Sequence, residues 1–141
     1  MDVGSRRTLS AIITLSCDGK CRHCYIDSQP RGETPELSLE TWKNVLDDFR
    51  SMGGEEFCTH GGEPLLYDGV GELIQHAHSI GLRTGIITNA IHLDDEFSQV
   101  LSACSTYALV SLDGPEENYT YIRQVDKLDI VISNVDHTIS P

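Results

Sequence analysis

Basic residues are scarce in this chain. Ten Lys plus Arg, of which three are lysines, stand against 22 Asp plus Glu, a formal charge of −12 over 141 residues. So acidic a surface repels phosphate groups, which argues against nucleic acid as a partner. Long apolar runs are also lacking. The longest, around Ala11 to Leu15, falls far short of the ~20 residues a membrane-spanning helix needs, so no membrane association is expected. No apolar leader with a cleavage site is seen, and the five cysteines are odd in number, three of them crowded between positions 17 and 24. A secreted disulfide framework is therefore not expected, and a reducing, cytoplasmic compartment is. No shift of composition divides the chain, and we read residues 1–141 as a single domain with one core.

What the chain has is a repeated alternation of short strands and amphipathic helices. Thr8 to Leu15 is β-branched and reads as a strand, ending at the first cysteine of the crowded set. Gln29 to Glu36, with Pro30, Gly32 and Pro35, reads as loop. Ser38 then caps a helix whose Trp42, Val45, Leu46 and Phe49 share one face, and Gly53-Gly54 stops it. Phe57 to Thr59 is a second strand, and Asp68 opens a helix with Val70, Leu73, Ile74, Ala77 and Ile80 inward, ended by Gly81. Thr84 to Thr88 is a third strand, and the helix after it carries Phe97, Val100, Leu101 and Cys104. Tyr107 to Leu112 is nearly continuous in apolar residues, as a strand buried on both faces should be. From Asp126 onward, Leu128, Val131, Ile132 and Val135 fit a helix face. About four βα units imply a parallel α/β sheet, open or part of a barrel.

Each strand runs into a polar or glycine-rich signature, and in parallel α/β folds ligands bind at these carboxyl ends. After the first strand comes C-x-x-x-C-x-x-C, formed by Cys17, Cys21 and Cys24. Three close thiolates can hold a polynuclear iron–sulfur cluster with one iron open to another ligand, since a four-iron cubane needs four. A closed zinc site, the three cysteines with His23 or His60, is the rival, but it leaves the other signatures unexplained. Gly61-Gly62-Glu63-Pro64 follows the second strand. It is either a plain strand-to-helix turn or a place where backbone approaches a ligand while Glu63 offers a carboxylate to a cation. Thr88-Asn89 ends the third strand, either as a cap of the next helix or as a ligand contact. Ser111-Leu112-Asp113-Gly114 ends the fourth, and a tight turn at Asp113-Gly114 competes with a binding role. Cys58 and Cys104 read as small buried hydrophobes, and His60 and His92 lie near strand ends.

The cysteine loop C-R-H-C-Y, then G-G-E-P-L-L, I-I-T-N-A, V-S-L-D-G-P and Tyr121-Ile122-Arg123, taken in order, resemble the radical S-adenosylmethionine (radical SAM) superfamily. The likeness is greatest to its SPASM-type branch of peptide-maturing and haem-modifying enzymes. The resemblance implies an α/β fold, a partial (βα) barrel of about four units, truncated relative to a six-unit core. It implies a [4Fe–4S] cluster on Cys17, Cys21 and Cys24, and S-adenosyl-L-methionine held by Tyr25, Gly61, Gly62, Glu63, Pro64, Thr88, Asn89, Ser111, Asp113 and Arg123. Glu63 would take the cofactor's amino group, and Arg123 would lie near its carboxylate. The implied function is generation of a 5′-deoxyadenosyl radical to modify a peptide or cofactor precursor, with an electron donor such as flavodoxin or ferredoxin. A non-catalytic iron–sulfur module needing another chain is the second reading, and a structural zinc protein the third. Ala90 and Gln124 depart from the glycines usual at those points. An open edge after four units leads us to expect either self-association or low stability.

Overall fold

The computed structural model describes residues 6–26 and 35–139. Four parallel strands, β1 (Thr8–Thr14), β2 (Glu56–Gly61), β3 (Arg83–Thr88) and β4 (Tyr107–Val110), lie in the order 1-2-3-4. Successive strands are neighbours, so every connection steps the same way along the sheet, and each must cross over its face through at least one helix. These are α1 (Leu39–Ser51), α2 (Val70–Ser79), α3 (Asp95–Ala103), and, after β4, α4 (Glu116–Arg123) and α5 (Leu128–Ile139).

Alternation along the strands sorts the two faces. Ala11, Ile13, Phe57 and Ile86 are buried against Leu46 of α1, Leu73, Ile74 and Ala77 of α2, Phe97 and Leu101 of α3, and Val131 of α5. The residues between them turn to the other, concave face. There Ile12 pairs in register with His60, and Ile87 with Leu109. Ile12 and Leu109 remain 41% and 55% exposed. Among the described residues the sheet is covered by helices on one side only, as in the wall of an open barrel.

Local chemistry sets most boundaries as expected. The Ser38 side chain accepts from Thr41 N at 3.2 Å and opens α1. Asp94 caps α3 by accepting from Phe97 N at 2.8 Å. Three details differ. The helix expected from Asp68 starts after Gly69, whose φ of +88° sets the entry, because Pro64–Leu66 first form a separate 3₁₀ turn. β4 is shorter than Tyr107 to Leu112 and is not buried on both faces, since among the described residues it has a neighbour only through β3 and lacks a cover on the concave side. Helix α4 is the third: its 116–123 segment is polar outside and offers a single fully buried side chain, Tyr119, so it carries too weak an apolar stripe to be read from periodicity. The loop expected over Gln29 to Glu36 falls mostly in 27–34, outside the described residues.

Candidate active site

The four strand-end signatures converge on one cleft of about 230 Å³. Its walls include Cys17, Cys21 and Cys24, then Tyr25, Gly61, Gly62, Glu63, Thr88, Asn89, Ser111 and Arg123. Two expected residues are absent from that wall. Pro64 is buried behind Glu63 as the first residue of the 3₁₀ turn, and Asp113 acts on the wall through Arg123.

The cysteine loop leaves β1 at a bulge and is held by the neighbouring strand end. Gly62 N donates to Thr14 O at 2.9 Å and Glu63 N to Ser16 O at 2.7 Å, so the β1–β2 pairing is extended up to the residue before Cys17. This closeness explains the paired glycines. A Cβ on Gly62 would lie 2.1 Å from Ser16 O, and one on Gly61, at φ +134°, would lie 2.5 Å from Thr14 O. The backbone that the glycines admit is the chain's own, and it delivers Cys17 to the cleft. Gly19 N donates to Cys17 Sγ at 3.4 Å, and a Cβ at Gly19 would sit 3.7 Å from Cys17 Sγ and 3.5 Å from Cys21 Sγ.

On its far side the loop is fastened to α4. Arg22 N donates to Ile122 O at 2.8 Å, Arg22 Nε donates to Tyr121 O at 2.9 Å, and the Arg22 guanidinium lies 4.2 Å over the Tyr121 ring. Arg123 forms an ion pair with Asp113 and donates from Nη1 to Cys21 Sγ at 3.5 Å. Asp113 and Gly114 adopt left-handed backbone, φ +55° and +122°, so the expected tight turn is there, and it is what aims the Asp113 carboxylate at Arg123.

Glu63 is the most buried charge in the cleft, 1% exposed. Its Oε1 accepts from Leu65 N (3.1 Å) and Thr88 Oγ1 (2.6 Å), and Oε2 accepts from Asn89 N (2.7 Å). One carboxylate thus ties β2 and its 3₁₀ turn to the end of β3. A carboxylate offers about four acceptor positions, so one on Oε2 remains. Among the described residues no Lys, Arg or His forms an ion pair with it. Burial accordingly pushes its pKa up, against the pull of its three hydrogen bonds, and nearby Asp18 adds to the rise.

Thr88 and Asn89 do not cap the next helix, whose N-cap is Asp94; both line the cleft. Asn89 Oδ1 accepts from Ile91 N at 2.9 Å, bracing the turn after β3, while its Nδ2 donates to Asp18 Oδ1 at 2.7 Å. His92 Nε2 lies 3.1 Å from the other oxygen of Asp18. Asp18 therefore links the cysteine loop to β3, and sequence reasoning missed it, because a lone acid between two motifs carries no spacing signal. Also in the cleft wall, Tyr25 Oη is 3.2 Å from His60 Nδ1, and burial lowers the His60 pKa.

Tyr119 was also missed. It is fully buried, lines the cleft, and its hydroxyl has no hydrogen-bond partner among the described residues. Cys58 and Cys104 are buried as expected, and burial raises both thiols. Cys17, Cys21 and Cys24 line one cleft.

The two positions that depart from glycine keep glycine-like backbone. Ala90 has φ +60° and Gln124 φ +58°, both left-handed, so both turns carry the strain of a Cβ. No described helix is long and apolar enough to cross a membrane.

Comparison with known proteins agrees with this geometry. The chain is 36% identical over 106 residues to Fe-coproporphyrin III synthase of Methanosarcina barkeri, covering 74% of this chain and 27% of that protein. It is 32% identical over 106 residues to PqqA peptide cyclase of Bradyrhizobium diazoefficiens, again covering 74% of this chain and 28% of the relative. The chain therefore spans less than a third of these relatives. Among solved structures, SuiB of Streptococcus suis bound to S-adenosylmethionine superposes with a TM-score of 0.84 at 19% identity, over 94% of this chain and 31% of that one. Native anSMEcpe with bound AdoMet gives 0.73 at 20% identity, over 92% and 39%. These likenesses establish the fold, the partial (βα) barrel that the family resemblance implied. Residues 11–137 match the profile of the Radical SAM superfamily, whose cofactors are a [4Fe–4S] cluster and S-adenosylmethionine, and the chain belongs to that superfamily.

Proposed function

We propose that this chain forms the cluster-bearing part of a radical SAM enzyme, with Cys17, Cys21 and Cys24 holding a [4Fe–4S] cluster and the adjoining cleft holding S-adenosylmethionine. The observation that carries the reading is Glu63. It is a carboxylate buried with no cationic partner among the described residues and with one acceptor position left, in the cleft that the three cysteines line. A buried negative charge is costly unless a cation completes it. The ammonium of the methionyl moiety is a cation of the right size and a hydrogen-bond donor.

The donor set fits the group. Three sulfurs on one loop, lining one cleft, suit a polynuclear cluster, and three ligands leave one iron for the cofactor. A cluster bound by these cysteines would supply one electron for reductive cleavage of the S-adenosylmethionine sulfonium, the chemistry by which this family abstracts a substrate hydrogen. The chain's own residues do the rest. Gly62 and Glu63 N hold the cysteine loop against β2. Glu63 orients the methionyl ammonium, while Thr88 and Asn89 N hold that carboxylate still. Gly61 and Gly62 admit the backbone of the cysteine loop, Pro64 fixes the turn behind Glu63, and Ser111 and Tyr25, in the cleft wall, would contact the cofactor. Asp113 and Arg123 brace the cleft wall next to Cys21.

The substrate we infer is a peptide or a cofactor precursor. One relative is a peptide cyclase, another is an Fe-coproporphyrin III synthase, and a SuiB structure of the same fold contains the precursor peptide SuiA. The partly exposed Ile12, Ile87 and Leu109 on the concave face offer apolar contact area beside the cleft. A small iron–sulfur donor or flavoprotein would supply the electron, in the cytoplasm, and residues 1–141 act as one domain. Anaerobic reconstitution with iron and sulfide, then S-adenosylmethionine and a strong reductant, tests the reading. About four irons and 5′-deoxyadenosine are expected, and stoichiometric zinc without iron refutes it.

A further inference from the structure

Tyr119 stands apart among the buried polar groups. Four buried side-chain polar atoms have no hydrogen-bond partner among the described residues, on Trp42, Thr59, Tyr119 and Arg123. Trp42 and Thr59 do not line the cleft, and Arg123 is ion-paired with Asp113. That leaves the Tyr119 hydroxyl, 0% exposed, as the orphan group in the cleft wall. Buried polar groups are nearly always satisfied, so an orphan donor in a binding cleft marks the place of a missing acceptor.

The surroundings identify that acceptor. Tyr119 and Arg123 are four residues apart on α4 and so share one face. Arg123 already donates to Cys21 Sγ at 3.5 Å. Tyr119 lies within electrostatic reach of the Cys21 thiol, Asp18, Asp113 and Arg123. A phenol is protonated at neutral pH, and burial raises this one further, so it offers a proton and seeks an electron-rich partner. Both fastenings of the cysteine loop to α4, through Arg22, flank the same corner.

We propose, resting on the cluster reading above, that α4 tunes the cluster: the Tyr119 hydroxyl donates a hydrogen bond to sulfur at the Cys21 corner, beside the Arg123 guanidinium. Tyr119 is then a positioning residue. Hydrogen bonds to sulfur stabilise the more negative, reduced cluster and raise its potential, easing uptake of the single electron.

The test is Tyr119→Phe in the full chain, reconstituted anaerobically and titrated electrochemically by electron paramagnetic resonance, with iron content and S-adenosylmethionine affinity measured alongside. The ring volume is kept and the hydroxyl has no partner among the described residues, so the ligand-free variant should melt with the wild type and load the same iron. Its reduction equilibrium should become less favourable by roughly tenfold, a fall of about 59 mV for a one-electron couple. An unchanged potential overturns the proposal. Weaker S-adenosylmethionine binding at unchanged potential overturns it too, and assigns the hydroxyl to the cofactor; so does loss of iron, which makes the hydroxyl part of assembly. A wild-type chain that holds no cluster overturns the underlying reading and this one with it, whereas a loaded wild type indistinguishable from the variant overturns this one alone.

Discussion

Replacing Glu63 with glutamine isolates the charge that the cleft leaves uncompensated. The amide is nearly isosteric, and its oxygen can keep the Oε1 bonds from Leu65 N at 3.1 Å and Thr88 Oγ1 at 2.6 Å. Its NH2 then faces Asn89 N–H, a donor against a donor, where Oε2 accepted at 2.7 Å. An unsatisfied buried donor costs about 1–3 kcal/mol. Relief from burying a charge at 1% exposure works in the opposite direction, so the ligand-free fold should change little in stability. Binding is different, because a methionyl ammonium loses a charge-assisted hydrogen bond worth about 1.5–3 kcal/mol. Affinity for S-adenosylmethionine should fall roughly tenfold to a hundredfold, with iron content unchanged. The assay is a titration of the reduced cluster's paramagnetic signal with S-adenosylmethionine. An unchanged dissociation constant would remove Glu63 from the cofactor site and leave it as a brace between β2 and β3.

Cys17→Ala, Cys21→Ala or Cys24→Ala should each abolish stable cluster binding, while Cys58→Ala and Cys104→Ala should retain it, as measured by iron and sulfide content; an iron-loaded triple variant would sink the cluster assignment. Gly62→Ala places a Cβ 2.1 Å from Ser16 O, so it should cost roughly 2–3 kcal/mol in urea unfolding and weaken iron loading by displacing Cys17. Because burial raises the Glu63 pKa, the folded chain holds a proton that the unfolded chain has released in the window between the ordinary carboxyl value and the raised one. Lowering the pH through that window should therefore stabilise the ligand-free wild type relative to Glu63→Gln, and parallel pH profiles for the two would contradict the shift. Gln124→Gly removes a Cβ from left-handed backbone at φ +58° and should stabilise the chain by about 0.5–1 kcal/mol, read as a higher denaturation midpoint with unchanged slope.

The strand–helix alternation was legible because each element carries its own local signal. Ser38 caps α1 as a serine before an amphipathic run should, and Leu46, Leu73, Ile74 and Leu101 fall on the buried faces that their spacing predicts. Helix α4 was not legible, since one buried tyrosine in eight residues makes no stripe. The apolar run of β4 misled in the other direction. Strand composition reports what a strand packs against in its full surroundings, and Leu109 remains 55% exposed where the concave face lies open.

The same division holds for the site. The order of the strand-end motifs, and the crowding of three cysteines directly after a strand, are properties of the linear chain, and they sufficed to place the family and the cluster ligands expected for it. The partners of those motifs were settled by tertiary contacts between residues far apart in the chain. Glu63 meets Thr88 and Asn89 across 25 and 26 positions, Asp18 meets Asn89 and His92 across 71 and 74, and Arg123 reaches Cys21 across 102. Spacing rules act over a few residues of one element, whereas parallel strands bring their carboxyl ends together whatever the length of chain between them. That is why the sequence alone determined which residues stand at the strand ends, and only the folded sheet decided that Gly62 makes room for the chain's own backbone, that Asp113 serves Arg123, and that the Tyr119 hydroxyl lies in the cleft wall without a partner among the described residues.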